Sequence, residues 1–286
     1  MKRLIDKLQT ALSTTYEEHE LRAIIRTICC DILGIGTTTY YLKEDVALTN
    51  EQEIQFEDIT TRLLQGEPLQ YIEKRAPFCG FDLQVNPAVL IPRPETAELV
   101  DWIVSENRDK HPRILDIGTG SGCIAIALSR QLTNASIDAC DISPEALAVA
   151  EGNASRNDTH IHFFQHDILD TTSPLSHTYD ILVSNPPYIR QSEAAEMEAH
   201  VTDWEPYTAL FVPDNDALCF YRAIAELGQT DVLRPGGHIY VEINQALGRE
   251  TAALFEAYGY ENIELRKDIY GNDRMVKGVK RKSREL

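Results

Sequence analysis

From Arg113 onward, short apolar stretches alternate with amphipathic ones of helical period, and this pattern restricts the fold more than any other feature of the chain. Strands that are apolar on both faces need cover on both faces. Intervening helices supply it, so the pattern predicts an α/β fold with a mostly parallel, doubly covered sheet. The strands predicted are Arg113–Ile117, Ser136–Cys140, Ile161–Gln165, Tyr179–Ser184, Gly237–Ile243, Ile263–Lys267 and Met275–Lys280. Tyr270-Gly271-Asn272-Asp273 supplies turn chemistry between the last two, which predicts an antiparallel hairpin at a sheet edge.

The part before residue 76 reads differently. Leu4, Leu8 and Leu12 are spaced for one helix face, and Leu21, Ile24, Ile25, Ile28, Ile32 and Leu33 make a second apolar stripe. Thr49 or Asn50 as N-cap, with Gln52 or Glu53 at the capping-box position, announces a third helix that Gly66 and Pro68 stop. Residues 76–95 contain Gly80, Asn86-Pro87, Pro92 and Pro94 between short apolar pieces, the signature of a stiff β-hairpin linker. The predicted division is therefore a helical domain at 1–75, the linker at 76–95 and the α/β domain at 96–286.

Bulk properties narrow the function. A formal charge of −18, from 27 Lys+Arg against 45 Asp+Glu, disfavours a partner held mainly by its phosphates, so no direct nucleic-acid binding is expected. No apolar run reaches the roughly 18 residues of a membrane span, and Met1-Lys2-Arg3-Leu4-Ile5-Asp6-Lys7 meets charge too early for a signal peptide; a cytoplasmic protein with no membrane partner is expected. Cys29, Cys30, Cys79, Cys123, Cys140 and Cys219 form no C-x-x-C pair and suit reduced thiols.

Two loops at strand ends carry the chemistry. Gly118-Thr119-Gly120-Ser121-Gly122 follows a strand and opens a helix, where free N–H groups face a ligand. The spacing is G-x-G-x-G, not the G-x-G-x-x-G of a pyrophosphate cradle, which disfavours a dinucleotide. Asp141 ends the next strand 19 residues beyond Gly122, placed to accept from two ribose hydroxyls. Asp167 and Ile168 end the third, where a carboxylate can accept from an adenine amino group and an apolar side chain can pack on the ring; a strand-end cap explains Asp167 equally well. Together these point to an adenosine-containing cofactor.

Asn185-Pro186-Pro187-Tyr188 follows the fourth strand directly. An amide nitrogen is a poor nucleophile because its lone pair is delocalised. The Asn185 side-chain oxygen and the Pro186 carbonyl can hold an NH2 group by both hydrogens, with proline fixing the backbone and offering no competing N–H. Tyr188 is placed to stack on a flat amide. Such positioning supplies much of the barrier reduction in a direct displacement and calls for no metal. A stiff loop without chemistry is the alternative for this tetrapeptide taken alone.

With both loops in view, the sequence resembles the PrmC/HemK family of release-factor glutamine N5-methyltransferases. The resemblance covers nearly the whole chain: Pro68-Leu69-Gln70-Tyr71-Ile72, Val89 to Thr96, the glycine loop, Asn185 to Tyr188, Glu205-Pro206 with Ala209-Leu210, and Asp273-Arg274. It implies a class I S-adenosylmethionine-dependent methyltransferase fold, Rossmann-like with a seven-stranded sheet, and a helical N-terminal domain that docks the substrate protein. It further implies S-adenosyl-L-methionine as cofactor and a glutamine in the Gly-Gly-Gln loop of class I release factors as substrate. Asn185, Pro186 and Tyr188 would be catalytic, with Asn185 also touching the cofactor and Pro187 completing the substrate contact. Two stretches depart from the family pattern, Ala97-Glu98 and Val212 to Ala217. The tetrapeptide alone also fits N6-adenine or N4-cytosine methylation of nucleic acid, and a non-catalytic cofactor-binding adaptor of a translation factor is a third reading.

Other residues suggest sites more weakly. His160, His162 and His166 are read as strand histidines rather than metal ligands. Glu242 and Arg274 are read as ion-pair or loop anchors. Phe78 and Phe81 wall the glutamine pocket or pack a hinge, Arg93 and Glu95 orient ligand or bridge domains, and Lys280, Arg281, Lys282 and Arg284 make a basic, frayed tail.

Overall fold

Each apolar stripe of the N-terminal region folds as a helix because burying it is the main gain available to so short a segment. The computed structural model describes residues 1–170, 172, 175–197 and 199–282. The first unit comprises α1 (Lys2–Leu12), α2 (Glu18–Arg26) continued by a π-helical turn (Thr27–Ile32), α3 (Thr37–Leu42), α4 (Asn50–Leu64) and α5 (Leu69–Glu73). Leu8, Leu12, Ile25, Ile28, Ile59 and Leu63 meet in its core. Thr49 caps α4 with the reciprocal Gln52 bonds of a capping box, as the sequence predicts. The short α3 and α5 were not predicted, being too brief to show a period.

The second unit begins at Ala76. It opens with β1 (Ala76–Phe78) and β2 (Phe81–Leu83), then α6 (Pro94–Asn107), β3 (Arg113–Ile117), α7 (Cys123–Gln131), β4 (Ser136–Asp141), α8 (Pro144–Arg156), β5 (His162–Gln165) and β6 (Tyr179–Ser184). There follow β7 (Ile189–Arg190), α9 (Ala199–Trp204), which clusters with the first unit, α10 (Tyr207–Leu210), β8 (Phe211–Val212) and α11 (Cys219–Gln229). The chain closes with β9 (Leu233–Glu242), α12 (Gly248–Ala257), β10 (Tyr260–Lys267) and β11 (Asp273–Lys280). Seven strands form one sheet in the order β10-β11-β9-β6-β3-β4-β5. Its pairs are parallel except at β11, which runs antiparallel between β9 and β10. The strand order reverses at β3 and β6, and there the crevice outside the carboxyl ends opens.

Two expectations need correcting. The segment 76–95, expected as a stiff linker, groups with the second unit: the buried Asn153 of α8 accepts from Gln84 N–H at 2.7 Å and donates to the Gln84 and Ser121 carbonyls at 2.9 Å each. The basic tail is stitched into the sheet as far as it is described. Lys280 Nζ donates to the Thr230 and Leu233 carbonyls, and Arg281 pairs with Glu261 at 2.6 Å, while Arg284 lies outside the described residues. Among the described residues no helix is long and apolar enough to cross a membrane.

Candidate active site

Parallel register brings distant loops together. Ile117 is level with Cys140 on one side and Ser184 on the other, so the residues that leave these strands, Gly118, Asp141 and Asn185, emerge side by side. Ser184 Oγ locks the pairing by donating to the Ile117 carbonyl at 2.7 Å. Ser184 is level with Val241, which sets Glu242 beside Asn185.

A cavity of about 770 Å³ opens over these ends, within the range usual for small-ligand sites. Gly118, Thr119, Gly120 and Ser121 line one wall, Asp141, Ile142, Asp167, Ile168 and Leu169 a second, and Asn185, Pro186 and Pro187 a third. Gly118 and Gly120 have φ of +71° and +55°, and a Cβ at either would point into open space. The loop is a cradle from which side chains are missing where a ligand can approach the backbone. Asp141 is positioned by its own acceptances, Oδ2 from Gly120 N–H at 2.9 Å and Oδ1 from Ser143 N–H at 3.0 Å. Asp167 Oδ1 accepts from Leu169 N–H at 2.9 Å in a local turn rather than as a helix cap, and the residue lines the cavity. The half-exposed Ile142 and Leu169, at 54% and 47%, flank the same slot with apolar surface suited to a flat ring. The glycine loop, the acid at 141 and the apolar slot fit S-adenosylmethionine.

Beneath the reaction loop lies a buried relay. Asn185 Nδ2 donates to Thr96 Oγ1 at 3.1 Å, Thr96 Oγ1 donates to Glu242 Oε2 at 2.7 Å, and Tyr188 OH donates to Glu242 Oε1 at 3.1 Å. Burial pushes the Glu242 carboxyl up from its ordinary range, an effect opposed by the two hydroxyls and by the Arg274 charge. Burial, and then the adjoining Glu242, raises the Tyr188 phenol as well. Asn244 Nδ2 donates to the Tyr188 carbonyl at 3.0 Å, so the loop is held at side chain and main chain.

Comparison with known proteins decides the family. The PrmC N-terminal domain family matches residues 3–73 and the methyltransferase small domain family residues 96–202. The chain is 48% identical to the release factor glutamine methyltransferase of Bacteroides thetaiotaomicron over 96% of this chain and 99% of that protein. The chain belongs to the release factor glutamine methyltransferase family. The counterpart from Flavobacterium psychrophilum is 46% identical over 93% of this chain and 94% of its own length. A crystal structure of a methyltransferase from Pyrococcus furiosus shares the fold at 18% identity, with a TM-score of 0.52 over 79% of this chain and 99% of that one.

Two of the expected site residues, Gly122 and Tyr188, sit away from the cavity lining, while Phe78, Phe81 and Arg274 take the packing and ion-pair roles that were among their expected alternatives. Gly122 does not line the cavity; its φ of +82° starts α7, and a Cβ there would lie 3.2 Å from Ala150 Cβ of α8. Tyr188 is not on the cavity wall either, its ring being partly buried against the cluster around Leu115, Tyr221 and Ile243. Phe78 and Phe81 pack edge to face at 6.1 Å in the hairpin core, away from the cavity lining. Arg93 does line it and is tied to Glu205 Oε1 at 2.5 Å. Arg274 pairs with Asp268 at 3.1 Å. Among the described residues no histidine cluster is placed to hold a metal. Sequence reasoning missed Thr96 as the partner of Asn185 and Ile142 as cavity wall. The apolar residue directly after Asp141 is a signal for the second; nothing local signals the first.

Proposed function

We propose that this chain transfers a methyl group from S-adenosylmethionine to the side-chain amide nitrogen of a glutamine, in the Gly-Gly-Gln loop of class I peptide-chain release factors, in the cytosol. The relatives at 48% and 46% identity carry the name of that activity. Gly118 to Ser121 and Asp141 would hold the methionine and ribose portions, and Asp167, Ile168 and Ile142 the adenine. When bound, the cofactor supplies an electrophilic methyl group on a sulfonium whose departure as a neutral thioether needs no acid.

The observation that carries the reading is the orientation of the Asn185 amide. Its nitrogen is taken by Thr96, which leaves Oδ1 on the opposite side of the carboxamide in a residue that lines the cavity. Oδ1 and the Pro186 carbonyl then accept both hydrogens of a substrate NH2 group, and Pro186 and Pro187 keep the pair rigid. Held this way, the amide cannot rotate its nitrogen out of line, which is the contribution positioning makes to a displacement. The methylated nitrogen sheds its extra proton to water. Tyr188 contributes by anchoring the loop, its hydroxyl donating to Glu242 and its carbonyl accepting from Asn244.

Incubation with labelled cofactor and a purified release factor, followed by mass spectrometry of the Gly-Gly-Gln peptide, tests the proposal. One methyl group on the glutamine is expected, and Asn185→Ala is expected to lose about a hundredfold or more in kcat while binding cofactor within about threefold of wild type. Label in DNA with none in protein, or an active Asn185→Ala variant, would overturn it.

A further inference from the structure

Asn185 presents an oxygen to the cavity only if something prevents its amide from turning over, since the two ends of a carboxamide are nearly isosteric. Its nitrogen end meets a hydroxyl, and a hydroxyl can donate or accept. A hydroxyl alone therefore sets no direction. What sets it lies one step further on: Thr96 and Glu242 are both buried, 2% and 1% exposed, and the Thr96 oxygen lies 2.7 Å from Glu242 Oε2. An ionised carboxylate only accepts. The single Thr96 proton is then committed to Glu242, its lone pair must face Asn185, and Nδ2 rather than Oδ1 must turn inward. Tyr188 OH donates to Oε1, so both oxygens of Glu242 accept from hydroxyls, which opposes the upward push of burial on its carboxyl.

We propose that Glu242 is a positioning residue for the methyl transfer, which acts through Thr96 to fix the polarity of the Asn185 amide. The inference rests on the proposed role of Asn185 and deepens it. Its sequence elements are Thr96 in the first turn of α6 and the last residue of β9, separated by 146 positions and joined only in the fold.

Three variants separate this role from simple packing. Thr96→Val keeps the volume and removes the relay; kcat is expected to fall about ten- to hundredfold with KM for the release factor and cofactor affinity within about twofold. Thr96→Ser retains the hydroxyl and is expected to keep kcat within about threefold of wild type. Glu242→Gln offers Thr96 an amide donor, which lets the chain of bonds reverse, and is expected to fall as far as Thr96→Val; the double variant should be no more than about threefold worse than Thr96→Val alone, because the two act in series. The Asn185 side-chain amide resonances in a ¹⁵N–¹H spectrum, assigned by their loss in Asn185→Ala, give a readout without turnover and should shift in Thr96→Val and stay near wild type in Thr96→Ser. Unchanged resonances and kcat in Thr96→Val, or equal losses in Thr96→Val and Thr96→Ser, would overturn the inference. If Glu242→Gln does not fold, the two Thr96 variants decide by themselves. If wild-type protein methylates no release factor, the activity proposal fails while the resonances still decide this one.

Discussion

Asp141 accepts a hydrogen bond from the main-chain N–H of Gly120 at 2.9 Å, so the acid expected to hold a ribose also holds the glycine loop that faces it. The two walls of the cofactor cavity are one hydrogen-bonded unit. Asp141→Ala should therefore remove the ribose acceptor and slacken the loop together. Hydrogen bonds to a charged group are worth about 1.5–3 kcal/mol each, so losing two should weaken cofactor binding about a hundredfold or more. Titration calorimetry reads this directly, and wild-type affinity would refute the ribose assignment.

Tyr188 offers a cleaner division between hydroxyl and ring. Tyr188→Phe removes only the bond to Glu242 Oε1 and should lower kcat by about three- to tenfold. Tyr188→Ala removes the ring as well and should cost more in both kcat and thermal stability. Equal kinetics for the two would mean that the packing of the ring contributes nothing to holding the loop. Steady-state rates on a release factor, with melting curves as control, make the comparison.

Gly122 is expected to be a stability position rather than a ligand contact. Gly122→Ala places a Cβ at φ of +82° and 3.2 Å from both Ala150 Cβ and Ile126 Cδ1. Left-handed backbone alone costs a non-glycine residue about 1–2 kcal/mol, which should lower the melting temperature by several degrees. Calorimetric melting checks it; an unchanged melting temperature with lost cofactor affinity would reverse the assignment.

Asp116 makes stability depend on pH. Burial lifts its carboxyl to about 7, while bonds from Thr119 Oγ1 at 2.6 Å and Ala125 N–H at 3.2 Å pull the other way. Because the folded pKa is raised above the unfolded one, the native state holds the extra proton between about 4 and about 7. Its stabilising effect is fully present below that window and is lost as pH rises through it. Thermal melts from pH 4 to 8 should show a downward component in wild type that Asp116→Asn removes. A variant with the same slope would assign the effect to another group.

How much of this was legible beforehand follows from the range of the forces involved. The carboxyl ends of the strands, the capping box at Thr49 and the two loops at 118–122 and 185–188 are written in contiguous residues, because local backbone preference and apolar period act over a few positions. The short pairing of β7 with β8, and α9 clustering with the first unit, escaped notice because neither has a period to read.

The sequence by itself determined the alternation that folds as a parallel sheet, the glycine-rich turn, the acid at 141 and the Asn-Pro-Pro-Tyr loop after the fourth strand, since each rests on neighbours in the chain. Only the tertiary structure decided which end of the Asn185 amide is engaged, why Tyr188 packs away from the cavity and how the hairpin docks on Asn153. Those outcomes depend on hydrogen bonds between residues 54 to 146 positions apart, and no local preference encodes a partner at that distance.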